Sequence, residues 1–328
     1  MVVRCWRSGV CSVGIIYSIE ATINPKILSG ITDYITAANQ NDIDVAIQNY
    51  ITEANKISDL LGRLDLYKLK RIDYCVNFYL PELGIGCSRT QIMELIKRGN
   101  VPKYYNERKY YSDKYHRKVS PDDSFYLKSN SVVINCYDKY SQMEKKYPDN
   151  PCFSDSHNVI RFEIQCKYTK VYNMAKKLTN TDNISNFRLL NDDITKEVID
   201  KYYKRIIRVG DYYTLADVIH QIKIRKFRKP KEDRLIDTLK RINRCRGISK
   251  AKSELQENKV DEFNQSLREL SYIGINPVTI PREWNVKYIP NLIHEYYNIV
   301  GESQGMMSEE FRDYETMDSL YKKLKKCK

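Results

Sequence analysis

Hydrophobic and polar positions along this chain follow a two-residue rhythm in the first half and a helical rhythm in the second. Residues Ile15 to Ile23 alternate as a strand, and Asp42 to Leu64 places Val45, Ile47, Tyr50, Ile51, Ala54, Ile57, Leu60, Leu61 and Leu64 at helical spacing. From Lys68 to Leu80, Ile72, Tyr74, Val76 and Phe78 take one parity. Arg71, Asp73, Cys75 and Asn77 take the other, the pattern of a half-buried strand. Ser88 is positioned to cap a helix running to Arg98, and Ser131 to Tyr137 reads as another strand. Asn158 to Lys167 has the cleanest alternation, with Ile160, Phe162, Ile164 and Cys166 on one face and Arg161, Glu163, Gln165 and Lys167 on the other.

After Thr179 the strands give way to helical spacing over Asp192–Val209, Thr214–Phe227, Glu232–Cys245, Lys250–Lys259 and Asp261–Tyr272. The pattern therefore predicts an α+β protein. A mainly antiparallel sheet with flanking helices occupies residues 1–185, and a basic helical domain occupies 186–328.

Composition narrows the class. The chain has 328 residues, 42% of them hydrophobic, and a net charge of +13, as expected of a folded basic protein. No window approaches the ~20 apolar residues of a membrane span. The nearest, Gly9 to Ile19, is short and runs into Glu20, so neither a membrane nor a signal peptide is the expected reading. Nine cysteines without a CxxC pair suit reduced thiols in a cytoplasm. No GxxxxGK[ST] or GxGxxG run is present, which removes P-loop ATPases, kinases and dinucleotide enzymes.

The charge is concentrated. Lys223 to Lys252 carries thirteen basic residues against three acids, including Arg225, Lys226, Arg228 and Lys229 near its start. Such a field attracts polyanions, of which a phosphate backbone is the commonest; a solvated helical face is the plainer alternative. Lys103 to Lys118 interleaves Lys103 and Lys109 with Tyr104, Tyr105, Tyr110, Tyr111 and Tyr115. Cations for phosphates beside rings for bases suit single-stranded nucleic acid, although 27 tyrosines across the chain make such clustering less selective.

Asp73 and Glu163 sit mid-strand on polar faces, each two residues after an arginine on that face, Arg71 and Arg161. Oxygen ligands on rigid strands suit Mg²⁺ or Mn²⁺; a same-face ion pair is the alternative. The strand Ser131 to Tyr137 delivers a phenol at its end; a tyrosine nucleophile needs a metal-polarised target or a nearby cation, and Lys139 beside it is a candidate for that cation.

Lys70-Arg71-Ile72-Asp73-Tyr74, Val133 to Lys139 and Val159 to Lys167 resemble, in order, motifs of the gene-II/X family of phage and plasmid replication initiators, the rolling-circle nickases of filamentous-phage type. The resemblance extends to Glu20, Pro25 and Lys26, and to Gly274–Arg282. It implies that Tyr137 attacks a DNA phosphodiester, leaving a 5′-phosphotyrosyl link and a 3′-OH for a host polymerase. By the same carry-over Lys139 assists, Asp73, Glu163 and Glu20 hold Mg²⁺ or Mn²⁺, and Arg71, Arg161 and Lys167 contact DNA.

The expected partners are origin duplex, single strand, host polymerase and helicase, in the cytoplasm of a bacterial host. Tyr140, Tyr168 and Tyr172 are the candidates for a second nucleophile. The histidine pair of wider rolling-circle initiators is absent, since His116, His157, His220 and His294 form no His-hydrophobic-His motif. The rival readings are a nucleic-acid-binding regulator without catalysis and a mobilisation relaxase.

Overall fold

A computed structural model of the chain describes residues 2–12, 14–31, 33, 35–80, 86–112, 116–119, 121–179 and 189–299. Its centre is a five-stranded antiparallel sheet. The strands are β3 (Arg71–Tyr79), β4 (Asn106–Glu107), β7 (Ser124–Lys128), β8 (Val132–Asp138) and β9 (Val159–Lys167), in the order β3-β9-β8-β7-β4. The three strands read from alternation are the adjacent trio β3-β9-β8, so β9 and β8 are each hydrogen-bonded on both sides. In front of the sheet in sequence, β1 (Val2–Cys11) and β2 (Gly14–Thr22) form a separate hairpin. The tyrosine-rich segment adds a second small hairpin, β5 (Tyr110–Ser112) with β6 (Arg117–Val119).

The expected opening of one strand and one helix is thus a two-stranded hairpin followed by α1 (Pro25–Leu28) and α2 (Gln40–Asn55). Helix α2 stops nine residues short of the expected Leu64. Ser58, Asp59 and Gly62 interrupt it, and Ile57 and Leu60 lie exposed, so they are not the inward ridge their spacing suggested. Helix α3 (Arg89–Lys97) starts where expected. Ser88 accepts from the Gln91 backbone N–H and the Gln91 side chain accepts from that of Ser88, a reciprocal cap. Two helices follow strands without a loop: α4 (Lys139–Lys146) after β8 and α5 (Tyr168–Thr179) after β9.

The second half is helical: α6 (Asp192–Ile206), α7 (Leu215–Ile224), α8 (Lys229–Cys245), α9 (Ile248–Ser253) and α10 (Val260–Tyr272), then α11 (Ile293–Ile299). The helix expected over Lys250–Lys259 is the short α9, a break at Glu254–Gln256 and a single 3-10 turn at Glu257–Lys259. One strand pair, β10 (Tyr212–Tyr213) with β11 (Tyr288–Ile289), ties the region together.

The apolar face of the sheet, with Phe78, Ile160, Phe162, Ile164 and Cys166 fully buried, shares one hydrophobic core with α3, α6 and the segment up to Tyr296. Tyr203 of α6 meets Phe78 and Phe162 edge-on at centroid distances of 5.7 and 5.6 Å. A smaller core joins α7, α8 and α10 through Val218, Ile222, Leu235, Leu239 and Leu270. Residues on both sides of the expected boundary at 185 therefore contribute to the larger core, while the boundary itself falls at residues 180–188, outside the described residues. The stretch Gly274–Arg282 lies against residues 207–214, where Gly210 approaches the Ile275 backbone so closely that a Cβ would sit 2.1 Å from its carbonyl carbon. Among the described residues, no helix is long and apolar enough to cross a membrane.

Candidate active site on the polar sheet face

The strand register gathers the chemistry-bearing residues. Antiparallel partners project to the same face. Pairing of Asp73 with Gln165, Cys75 with Glu163, Asn77 with Arg161, Asn135 with Glu163 and Tyr137 with Arg161 therefore puts all of them on the side opposite the core. Tyr126 of β7, opposite Asn135, joins them. Motifs separated by some sixty and twenty residues in sequence thus share one sheet surface.

At one end of this face Arg161 donates from Nε to Asn77 Oδ1 at 2.8 Å and from its terminal nitrogen to the Ile35 carbonyl, which also accepts from Asn77 Nδ2. Ile35 is buried and covers this end. Beside it, Tyr137 is 8% exposed, and its hydroxyl donates to Glu163 Oε2 over a long 3.3 Å. Gln165 Nε2 donates to the other carboxylate oxygen, Oε1, at 2.7 Å. Burial pushes the Tyr137 phenol well above the ordinary tyrosine value. Arg161 opposes that rise, and the Glu163 carboxylate adds to it.

Lys139, the first residue of α4, is 3% exposed and donates to Gln142 Oε1 at 2.7 Å. It makes no ion pair among the described residues. Burial first and the Arg161 charge second lower its pKa from 10.5 to about 8, against the opposing pull of Cys75 and Glu163. Lys139 thus lies within electrostatic reach of the same cluster. Its neighbour Asp138 caps α4 by accepting from the Tyr140 backbone N–H and pairs with Arg89 at 3.2 Å.

The other end of the face is open. Asp73 is clasped by Arg71 through paired contacts, the Nε donating at 2.7 Å, and Arg71 also feels the Glu163 charge. Lys167, opposite Arg71, donates to the Ser129 carbonyl at 3.3 Å. Asp73 and Glu163 are diagonal neighbours across β3 and β9, at the ~7–8 Å spacing typical of such pairs. They are the two carboxylates of this face whose hard oxygen donors could hold a divalent cation, although Arg71 already clasps Asp73 and Tyr137 and Gln165 donate to Glu163. Glu20 is not drawn in by any hydrogen bond or ion pair to them; it lies on the separate β1-β2 hairpin and pairs with Lys70 at 3.2 Å. Among the described residues, no three His, Cys, Asp or Glu side chains converge as a ready-made metal cluster.

The remaining candidates are dispersed. Tyr104 is strongly exposed, with Lys103 5.8 Å from its ring centroid. Tyr105 is turned into the core, under Arg205, and Lys109 pairs with Glu107 at 3.4 Å. At the start of α8, Lys229 is neutralised by Glu232 and Asp233 at 3.2 and 2.8 Å, whereas Arg225, Lys226 and Arg228 are exposed. Of the further phenols, Tyr140 stacks with His157 at 4.1 Å, and Tyr168 stacks with Tyr172 at 6.4 Å.

Three groups on the face carried no role in the sequence reading: Asn77, which orients Arg161; the Ile35 carbonyl, which no side-chain pattern reveals; and Tyr126, which lies 5.8 Å under Arg108. Alternation of Phe125 and Leu127 with Ser124, Tyr126 and Lys128 was the signal for the last.

No family model, no curated protein and no solved structure matches the chain. What the fold and site define is thus an α+β protein with a polar, half-covered sheet face bearing a tyrosine, a carboxylate pair, two arginines and a buried lysine.

Proposed function

We propose that the protein is a site-specific DNA-nicking and strand-joining enzyme of the rolling-circle initiation type, with Tyr137 as nucleophile. The observation that carries this reading is the contact of the Tyr137 hydroxyl with Glu163 on a face that also holds Asp73, Arg161 and the charge of Lys139. In the proposed step the phenol oxygen bonds to phosphorus and its proton passes to the Glu163 carboxylate. The bond from phosphorus to the 3′-oxygen breaks, and that oxygen takes a proton from the Lys139 ammonium. Reversal of the step rejoins the strand.

Arg161 steadies the developing charge beside the phenol, and Arg71 and Lys167 flank the path of the strand at the open end. Asp73 and Glu163 would hold a Mg²⁺ or Mn²⁺ ion, which would supply positive charge to the phosphate when bound. The host polymerase, the helicase and a bacterial cytoplasm follow from this reading.

The binding-regulator reading is favoured by the near-complete burial of Tyr137 and by the Arg71 clasp on Asp73. One experiment separates the two: supercoiled DNA of the protein's own replicon is incubated with Mg²⁺ or Mn²⁺, scoring nicked circles and protein covalently bound to DNA. Nicking and attachment that disappear in Tyr137→Phe and with chelator support the enzyme. Binding without cutting by the native protein transfers the conclusion to the regulator.

A further inference from the structure

Between α8 and α10 runs an open groove of about 510 Å³ with cations on both sides. Arg234, Lys240, Arg241 and Arg244 line it from α8, and Lys259 lines it from the turn before α10; among the described residues Asp237 and Glu262 are its carboxylates. Three of the five cations are compensated. Arg234 chelates Glu269 with both contacts at 2.9 Å, Lys259 pairs with Glu262 at 3.1 Å, and Arg244 sits 3.7 Å from Glu254. Lys240 and Arg241 make no ion pair among the described residues. Two adjacent unpaired cations on a concave wall repel each other and are relieved by a bound anion.

The form of the groove restricts the anion. Its α8 cations run from Arg234 to Arg244, about 15 Å of helix at ~1.5 Å per residue, which suits successive phosphates of a chain. Among the described residues its one aromatic side chain, Phe263, is buried in the core and offers no platform for an unpaired base. Contacts to phosphates without stacking are the mode by which a protein grips duplex DNA regardless of sequence.

We propose that the α8/α10 groove seats the phosphodiester backbone of duplex DNA, with Lys240 and Arg241 as its principal contacts. This takes DNA as ligand from the reading above and narrows the basic stretch Lys223–Lys252 to the middle of α8; at the first turn of that helix Lys229 is already neutralised by Glu232 and Asp233.

The test measures binding of the full chain to a 30-base-pair duplex across a salt series. A Lys240→Ala/Arg241→Ala double variant is compared with the native protein and with Lys229→Ala. The double variant is expected to bind at least tenfold more weakly at 0.1 M salt, with the slope of log K against log salt reduced by about 1.8 for two lost phosphate contacts. Lys229→Ala should bind as the native protein does. A single strand of equal length should lose less than threefold in the double variant, and 5 mM inorganic phosphate should not displace the duplex.

Circular dichroism and thermal melting verify that the double variant is folded, and Lys240→Arg/Arg241→Lys should restore binding. Unchanged affinity and slope in the double variant, equal loss for single strand, displacement by free phosphate, or no duplex binding by the native protein each overturns the proposal. Because no cutting is scored, the failure of Tyr137 as nucleophile leaves this result standing.

Discussion

Arg161 is the most heavily engaged side chain on the polar face: it holds Asn77 and the Ile35 carbonyl, and its charge moderates both Tyr137 and Lys139. Removing a charged donor from such a site leaves its acceptors unpaired, so Arg161→Met is expected to cost about 2–4 kcal/mol of stability by urea unfolding. A loss below about 1 kcal/mol would mean that water replaces the guanidinium without penalty.

Lys139 makes the opposite case, a cation that burial disfavours. Its pKa is about 8 in the folded chain against 10.5 ordinarily. Between those values the unfolded chain binds the extra proton, so stability rises with pH through that window and the full penalty is present below it. Lys139→Met is accordingly expected to exceed the native protein in stability at pH 7, with the gap narrowing by pH 10. Urea midpoints at pH 7, 8.5 and 9.5 measure it, and a gap that stays constant or widens would reject a depressed lysine.

At the scale of elements, the two faces of β3 and β9 differ in what they contribute. Ile164 is fully buried between Tyr74 and Ile134 on the neighbouring strands, so Ile164→Ala is expected to cost about 2–5 kcal/mol. Asp73 on the other face is exposed and ion-paired, so Asp73→Asn should cost less than about 1 kcal/mol in a denaturant titration. A reversed ranking would place the core on the wrong face.

That ranking was legible in the sequence because alternation in β3, β8 and β9 reports burial directly, and the same parity placed Asp73, Arg161 and Glu163 away from the core. Convergence on one surface was not legible. It depends on which strands pair and in what register, and pairing is a long-range property that alternation does not encode. The hairpin β1-β2 was obscured because its exposed positions include Val2, Val3, Val10, Ile15 and Ile19, which breaks the inward-outward code. Strand β4, two residues long, carries too few positions for any period to register.

Across the whole molecule, the sheet and the helices that follow it are bound by shared burial. Tyr203 is fully enclosed, wedged edge-on against Phe78 and Phe162, and its hydroxyl donates to Asn291 Oδ1 at 2.6 Å. Tyr74 reaches from β3 to the Leu189 carbonyl at 2.9 Å, and Glu295 accepts from the Tyr79 backbone N–H at 3.0 Å. A chain cut at residue 185 would lose α6 and expose the apolar side of β3 and β9 to water, an exposed patch of the kind that drives aggregation.

The full chain is therefore expected to unfold in one transition, with far-ultraviolet and tyrosine near-ultraviolet signals superimposed. The fragment 1–185 should keep strand signal, lack near-ultraviolet structure and bind a hydrophobic dye. A fragment that unfolds sharply and binds no dye would support the two-domain division read from the change of rhythm. The shared core would then be an interface between domains, and α6 a docked helix that the sheet can do without.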